Sequence, residues 1–183
     1  MPMPKLGPTI IAGISTLTFL GGCTVAAPEA PTTTPSRTVT QNPATTPAPG
    51  RDLVPAYQAI IRWFYEYDTA LNQHLFAIDA KSTGLSDPDA LVTALKADPL
   101  YAGHEIMNAS RAELEASGKI KKDALYFPDG FLIEFSRTTN TDDTVTAKGE
   151  KWVSGTGAVY VTITAHYQAN RWVLDEPTDM AIS

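Results

Sequence analysis

The spacing of apolar residues changes partway along this chain, and that change limits the folds open to it. From Leu53 to Leu114 they recur every three or four residues, which indicates helices with one buried face. From Phe131 to Leu174 they alternate with polar residues, which is typical of strands buried on one side. Helices followed by a run of strands predict an α+β domain, with helices packed on one face of a curved antiparallel sheet.

Three helices are predicted before the change. The first and longest covers 53–78, with Asp52 as its cap and Pro55 in its first turn. Its buried stripe consists of Leu53, Tyr57, Ile60, Phe64, Tyr67, Leu71, His74 and Ile78. Start signals of the Asp-Pro type then open a short helix over 87–97 and a third helix over 98–117, which Gly118 ends.

Four strands are predicted after the change, and turn residues separate them. They cover 131–136, 145–153, 159–166 and 171–174. The polar segment 138–148 predicts a long hairpin between the first two strands. Its acidic pair lacks the spacing of a calcium loop, so we expect the tip to be solvated, at Asp142-Asp143.

The only cysteine of the chain follows a signal-peptide pattern. A short segment with one positive charge precedes the apolar residues 9–20, and Leu20-Gly21-Gly22-Cys23 resembles the lipobox of bacterial lipoproteins. The resemblance implies that residues 1–22 are cleaved off and that Cys23 is lipidated. Two acyl chains hold a protein stably on a membrane, so we expect a lipid anchor on the extracytoplasmic face. An ordinary secretory signal, or an uncleaved anchor, with a chance cysteine is the alternative.

Residues 23–50 follow the proposed anchor and consist almost entirely of Thr, Pro and Ala. This segment holds no aromatic residue and only two large apolar ones, so it cannot bury enough surface to offset its ordering entropy. We expect a disordered, extended tether over 23–50 and one folded domain over 51–183.

Two segments of that domain resemble the NTF2-like superfamily. They are Ala116-Ser117-Gly118-Lys119-Ile120 and the terminal Asn170-Arg171-Trp172-Val173-Leu174-Asp175. The chain is especially similar to uncharacterised NTF2-like lipoproteins of high-GC Gram-positive bacteria, and the resemblance covers roughly 53–177. It implies a cone in which the sheet curls around the first helix and leaves a funnel. The superfamily contains isomerases, dehydratases and non-enzymes, so the fold does not define an activity.

The resemblance also suggests pocket residues. In superfamily isomerases a buried acid and a tyrosine transfer a proton and stabilise an oxyanion, which draws attention to Asp68 and Tyr67. His104 and Trp152 are further candidates for the pocket wall. Each of these side chains has an ordinary structural or solvated role as its alternative. We assign no catalytic set, no cofactor and no metal site, because no His, Asp or Glu spacing matches one.

The net charge of the chain limits the kinds of partner that it can bind. The chain carries a net charge of −6, which argues against a nucleic-acid partner. Three functions stay open: a non-catalytic extracytoplasmic domain that binds a protein partner or a small apolar ligand, an isomerase or dehydratase, and a structural component of a cell-envelope complex. The sequence leaves the ligand, the oligomeric state and the presence of an outer membrane undefined.

Overall fold

The computed structural model describes residues 50–121, 123 and 125–183, and its first helix, α1, spans Val54–Tyr67. Pro55 lies in the first turn as predicted, but Leu53 rather than Asp52 is the capping residue. Asp52 instead accepts a hydrogen bond from the Val54 amide. The predicted signal peptide, Cys23 and the tether apart from Gly50 lie outside the described residues.

The prediction that the first helix continues to Ile78 was wrong. Helix α1 ends at Tyr67, because Asp68 leaves helical geometry and its carboxylate caps a short 3₁₀ turn by accepting from the Ala70 amide. Leu75–Ile78 then forms a strand, β1, whose last three residues are buried. Consecutive apolar residues suit a strand covered on both faces, and their spacing also mimics a helical stripe.

The second helix was predicted correctly and the third was not. Helix α2 spans Pro88–Ala97, with the Asp87 carboxylate accepting from the Ala90 amide. The predicted third helix is divided into a 3₁₀ turn, a strand β2 (Glu105–Asn108) and a short helix α3 (Arg111–Ala116). A capping box starts α3 at Ser110, and Gly118, at φ +73°, follows its end as predicted.

The predicted α+β class is correct, and the described residues form a seven-stranded curled sheet, a half-barrel. Strand order is β2-β1-β3-β4-β5-β6, and β7 pairs beside β6 along the same edge of β5. The four predicted strands are present and mostly longer than predicted, while β7 was not predicted. Their bounds are Gly130–Asn140 (β3), Thr144–Ser154 (β4), Gly157–Gln168 (β5), Arg171–Leu174 (β6) and Thr178–Ile182 (β7).

The sheet is mixed rather than antiparallel. Strand β1 runs parallel to both of its neighbours, β2 and β3, whereas β3 to β6 are antiparallel. The connections explain the difference: β1 reaches β2 through α2, and β2 reaches β3 through α3 and a loop, as parallel pairs require.

Each face of the sheet has its own core. The face covered by α1 and α2, here called the inner face, buries the larger cluster, which includes Ile60, Phe64, Phe131 and Ile163. The opposite, outer face buries a smaller cluster beneath α3, which includes Leu114, Leu132 and Trp152. Beyond α3 the outer face carries polar, partly exposed residues.

Two turns fix the ends of the long strands. Ala169 and Asn170 join β5 to β6 with φ of +49° and +63°, the geometry of a type I′ hairpin turn. The tip of the β3–β4 hairpin is exposed at Asp142 and Asp143, as predicted. Arg51 holds this tip, since it donates to Asp143 and its guanidinium stacks 3.6 Å from the ring centroid of Tyr167.

Among the described residues, no helix combines the length and apolarity needed to cross a bilayer.

Candidate functional site

Two of the four residues proposed for a pocket lie where α1 ends. Tyr67 is 41 % exposed and stacks on Trp63, with ring centroids 4.8 Å apart. The carboxylate of the next residue, Asp68, caps the following turn through its bond to the Ala70 amide. Tyr67 therefore lies at the surface, and Asp68 is already engaged with backbone.

His104 is held on both ring nitrogens. Its Nδ1 lies 2.7 Å from the carbonyl oxygen of Gln73, and its Nε2 lies 3.0 Å from the hydroxyl of Tyr65. A carbonyl can only accept, so Nδ1 carries the proton and Nε2 accepts from Tyr65 when the ring is neutral. The ring also meets Phe131 edge to face. These contacts position the loop before β2 against α1.

Trp152 lies on the other side of the sheet from those residues. It is 3 % exposed within the outer cluster, and the guanidinium of Arg111 lies 4.3 Å from its ring centroid. The structure thus places Tyr67, Asp68 and His104 near the end of α1 and Trp152 away from them, in the outer cluster. None of the four lines any of five surface cavities found in the part of the chain that the structure describes.

Sequence reasoning missed Lys151, which is fully buried on the inner face. Its ammonium donates to the carbonyl oxygens of Asp68 and Tyr65 at the end of α1. Burial lowers the pKa of Lys151 to about 8. The sequence did contain a signal for this burial. Lys151 is two residues from both Gly149 and Val153, so the strand alternation places it in the same buried row of β4.

The contacts of Lys151 indicate a structural role. The carbonyls at the C-terminal end of a helix lack helical partners and carry partial negative charge, which a cation stabilises. Lys151 supplies that cation from β4 and so ties α1 to the sheet. Because its side chain has no exposed surface, solvent and solutes do not reach its amine in this conformation.

The outer face carries an open groove, here called the outer groove, with a volume of about 370 Å³. Strand register places Glu134, Glu150 and Tyr160 side by side across β3, β4 and β5. A register shift after Phe135 interrupts the ladder at this point. The lining residues are Glu134, Phe135, Ser136, Lys148, Gly149, Glu150 and Tyr160.

Arg111 fixes the two carboxylates of this groove. One nitrogen of its guanidinium lies 2.5 Å from Glu134 and 2.7 Å from Glu150. Burial and the adjacent Glu150 carboxyl raise the pKa of Glu134, and the charge of Arg111 opposes that rise. Burial also raises the pKa of Tyr160, so its phenol stays protonated and can donate. The groove therefore presents held acceptors next to a donor.

A second cavity of about 260 Å³ continues along the outer face. Lys148 lines both cavities, so they are neighbours on the outer face. The second cavity is lined by Arg137, Thr139, Thr146, Lys148, Thr162 and Asp179. Its hydroxyl groups both donate and accept hydrogen bonds.

Within the part of the chain that the structure describes, no group of three or more His, Cys, Asp or Glu residues is arranged to hold a metal ion. Comparison with known proteins found no match to a family model, to a curated protein or to a solved structure. The outer groove is therefore the candidate site on its geometry alone.

Proposed function

We propose that this chain is a lipid-anchored extracytoplasmic protein whose folded domain binds a ligand in the outer groove without converting it. The anchor part of the proposal rests on the lipobox-like residues that end at Cys23. The binding part rests on one observation. The outer groove is accessible and lined by polar groups that Arg111 already holds in place.

The inner side of the sheet supports the same choice. Tyr65, His104 and Phe131 pack against one another where a funnel would open, and Lys151 lies buried beside Phe131. His104 has a partner on each ring nitrogen, which leaves the neutral ring without a free base for proton transfer. These contacts favour a packed inner core over a catalytic funnel.

The finer fold assignment, an NTF2-like cone, is also a proposal. Helix α1 lies against β4, β5 and β6 of a curled sheet, as the resemblance implies. The terminal Asn170–Asp175 segment supplies the turn and strand β6. The shorter α1 and the parallel strand β1 are differences from the expected cone.

Strand β7 favours a second candidate function, a structural role in a cell-envelope complex. Met180 and Ile182 are 51 % and 65 % exposed at this edge of the sheet. Exposed apolar side chains on an edge strand are a common site of protein association. A protein partner bound at β7 and a ligand in the outer groove are compatible.

The anchor is tested by fractionating cells that express the wild-type chain or Cys23→Ala. The wild-type chain should sediment with membranes and incorporate labelled palmitate, and the variant should do neither. A variant that still incorporates palmitate at the same level would contradict lipidation at Cys23.

Binding in the groove is tested by photo-crosslinking in intact cells. A photoreactive residue at Ser136, which is exposed in the outer groove, should give a specific adduct. The matched control is Thr93, which is exposed on α2. Equal adducts from both positions, or none from Ser136, would refute the groove as the binding surface.

A further inference from the structure

We propose that the ligand of the outer groove is a neutral oligosaccharide. This inference rests on the proposed binding function and adds the chemical class of the ligand. Its basis is the juxtaposition of held carboxylates, hydroxyl donors and one exposed aromatic ring in a single open groove.

The charges of the groove favour a neutral ligand. Glu134 and Glu150 contribute two carboxylates, and Arg111 and Lys148 contribute two cations beside them. Opposite charges in equal number give no net attraction for either an anion or a cation. A ligand that offers hydroxyl groups instead can donate to the carboxylates and accept from Lys148.

Tyr160 supplies the flat apolar surface that a sugar ring needs. It closes the row that starts at Glu134 and Glu150, and it is 38 % exposed on the outer face. A tyrosine combines an apolar ring with a polar hydroxyl at its tip. Its ring therefore contacts the C–H face of a sugar, while its hydroxyl forms a hydrogen bond to a hydroxyl group at the edge of the sugar ring.

The length of the site favours an oligosaccharide over a single sugar. The outer groove has a volume within the range of small-molecule sites, and the second cavity extends it past Lys148. On β4, Glu150 lines the outer groove and Thr146, four residues away, lines the second cavity. Four residues of extended strand cover about 13 Å. The hydroxyls of Thr146 and Thr162 line the extension.

The test is saturation-transfer NMR on the full lipidated chain in amine-oxide micelles, which carry no sugar headgroup. Three probes of similar length differ in charge: chitotetraose is neutral, the glucosamine tetramer is cationic and tetragalacturonate is anionic. Saturation should reach the ring protons of chitotetraose, and each charged probe should bind more weakly. Absence of transfer to chitotetraose, or stronger binding of a charged probe, would overturn the inference.

Two variants locate the binding. Tyr160→Ala should weaken chitotetraose binding about 3- to 10-fold, as loss of one aromatic contact predicts. Ser136→Trp, which fills the groove from an exposed position, should abolish it. Tyr126→Ala is the matched control, because Tyr126 is 39 % exposed and does not line the groove.

The two proposals fail separately. Equal binding to the Tyr160→Ala and Tyr126→Ala variants would place the sugar elsewhere and refute this inference. A specific Ser136 adduct to a protein, together with no saccharide binding, would keep the groove as a binding site and reject the oligosaccharide. Absence of both the Ser136 adduct and saccharide binding would reject the proposed function as well.

Discussion

The ammonium of Lys151 donates a hydrogen bond to the backbone carbonyl of Asp68 across the interface between β4 and the end of α1. A charged lysine is rarely enclosed in this way, because desolvation penalises its charged form. Here the carbonyls at the helix end offset part of that penalty. The buried ammonium of Lys151 therefore makes the stability of the domain depend on pH.

Lys151→Met isolates this dependence. The pKa of Lys151 is lowered from 10.5 to about 8 by burial, so between these values the unfolded chain binds more protons and wild-type stability rises with pH. Relative to Lys151→Met, the wild type should gain about 3 kcal/mol across this window in urea unfolding. Burial raises the pKa of Tyr57 and Tyr101, but both titrate in wild type and variant alike.

Lys148→Met is the control for that measurement. Lys148 lies on the same strand and is exposed, so its removal should leave the pH profile parallel to that of the wild type. An unchanged profile in Lys151→Met would show that the ammonium of Lys151 is solvated.

Arg111→Met should destabilise the domain by about 1–3 kcal/mol, because it leaves two adjacent, largely buried carboxylates without their cation. Arg111 is also the group that lowers the pKa of Glu134, so this pKa rises further in the variant. A folded-state pKa above the unfolded value means that stability falls as pH rises. The loss of stability in Arg111→Met should therefore be larger at neutral pH than near pH 4.5. Adding Glu134→Gln to this variant should restore part of the lost stability.

Chemical denaturation at the two pH values checks this, and Lys81→Met provides the comparison. Lys81 pairs with Glu113 at the surface, where both side chains are more than half exposed, so its removal should change stability little. Similar losses from both substitutions would contradict the role assigned to Arg111.

Ala169→Gly should stabilise the domain by about 1 kcal/mol. Ala169 has a φ of +49°, where its Cβ meets the following carbonyl and glycine is unstrained. Thermal unfolding should show a higher midpoint. The same substitution at Ala112, exposed in α3, should lower the midpoint, because glycine costs up to about 1 kcal/mol in a helix. A lower midpoint for both would argue against strain at Ala169.

Local patterns were sufficient for the elements whose apolar residues follow one clear period. The alternation in β3 to β6 and the Asp-Pro start of α2 predicted these elements. They were insufficient for Leu75–Ile78, where four successive apolar residues are compatible with a helix or with a strand between two parallel neighbours. Only the tertiary pairing decides between them.

The candidate site was beyond prediction for a related reason. Glu134, Glu150 and Arg111 come from three elements, and only the register of β3 with β4 and the position of α3 bring them together. Lys151 stood in an apolar row, but its partners are backbone carbonyls, which no sequence pattern displays. Trp152 was grouped with Asp68, although the strand alternation places it on the opposite face.

The contacts of Arg51 have a mechanical consequence. Arg51 lies three residues before α1, and its guanidinium bonds to Asp143 at the hairpin tip and stacks on Tyr167 near the end of β5. A force applied to the N-terminal side of the domain would load this clamp before it reaches the first turn of α1. The load would then spread into the two longest antiparallel pairings of the sheet, which resist shear through many hydrogen bonds at once.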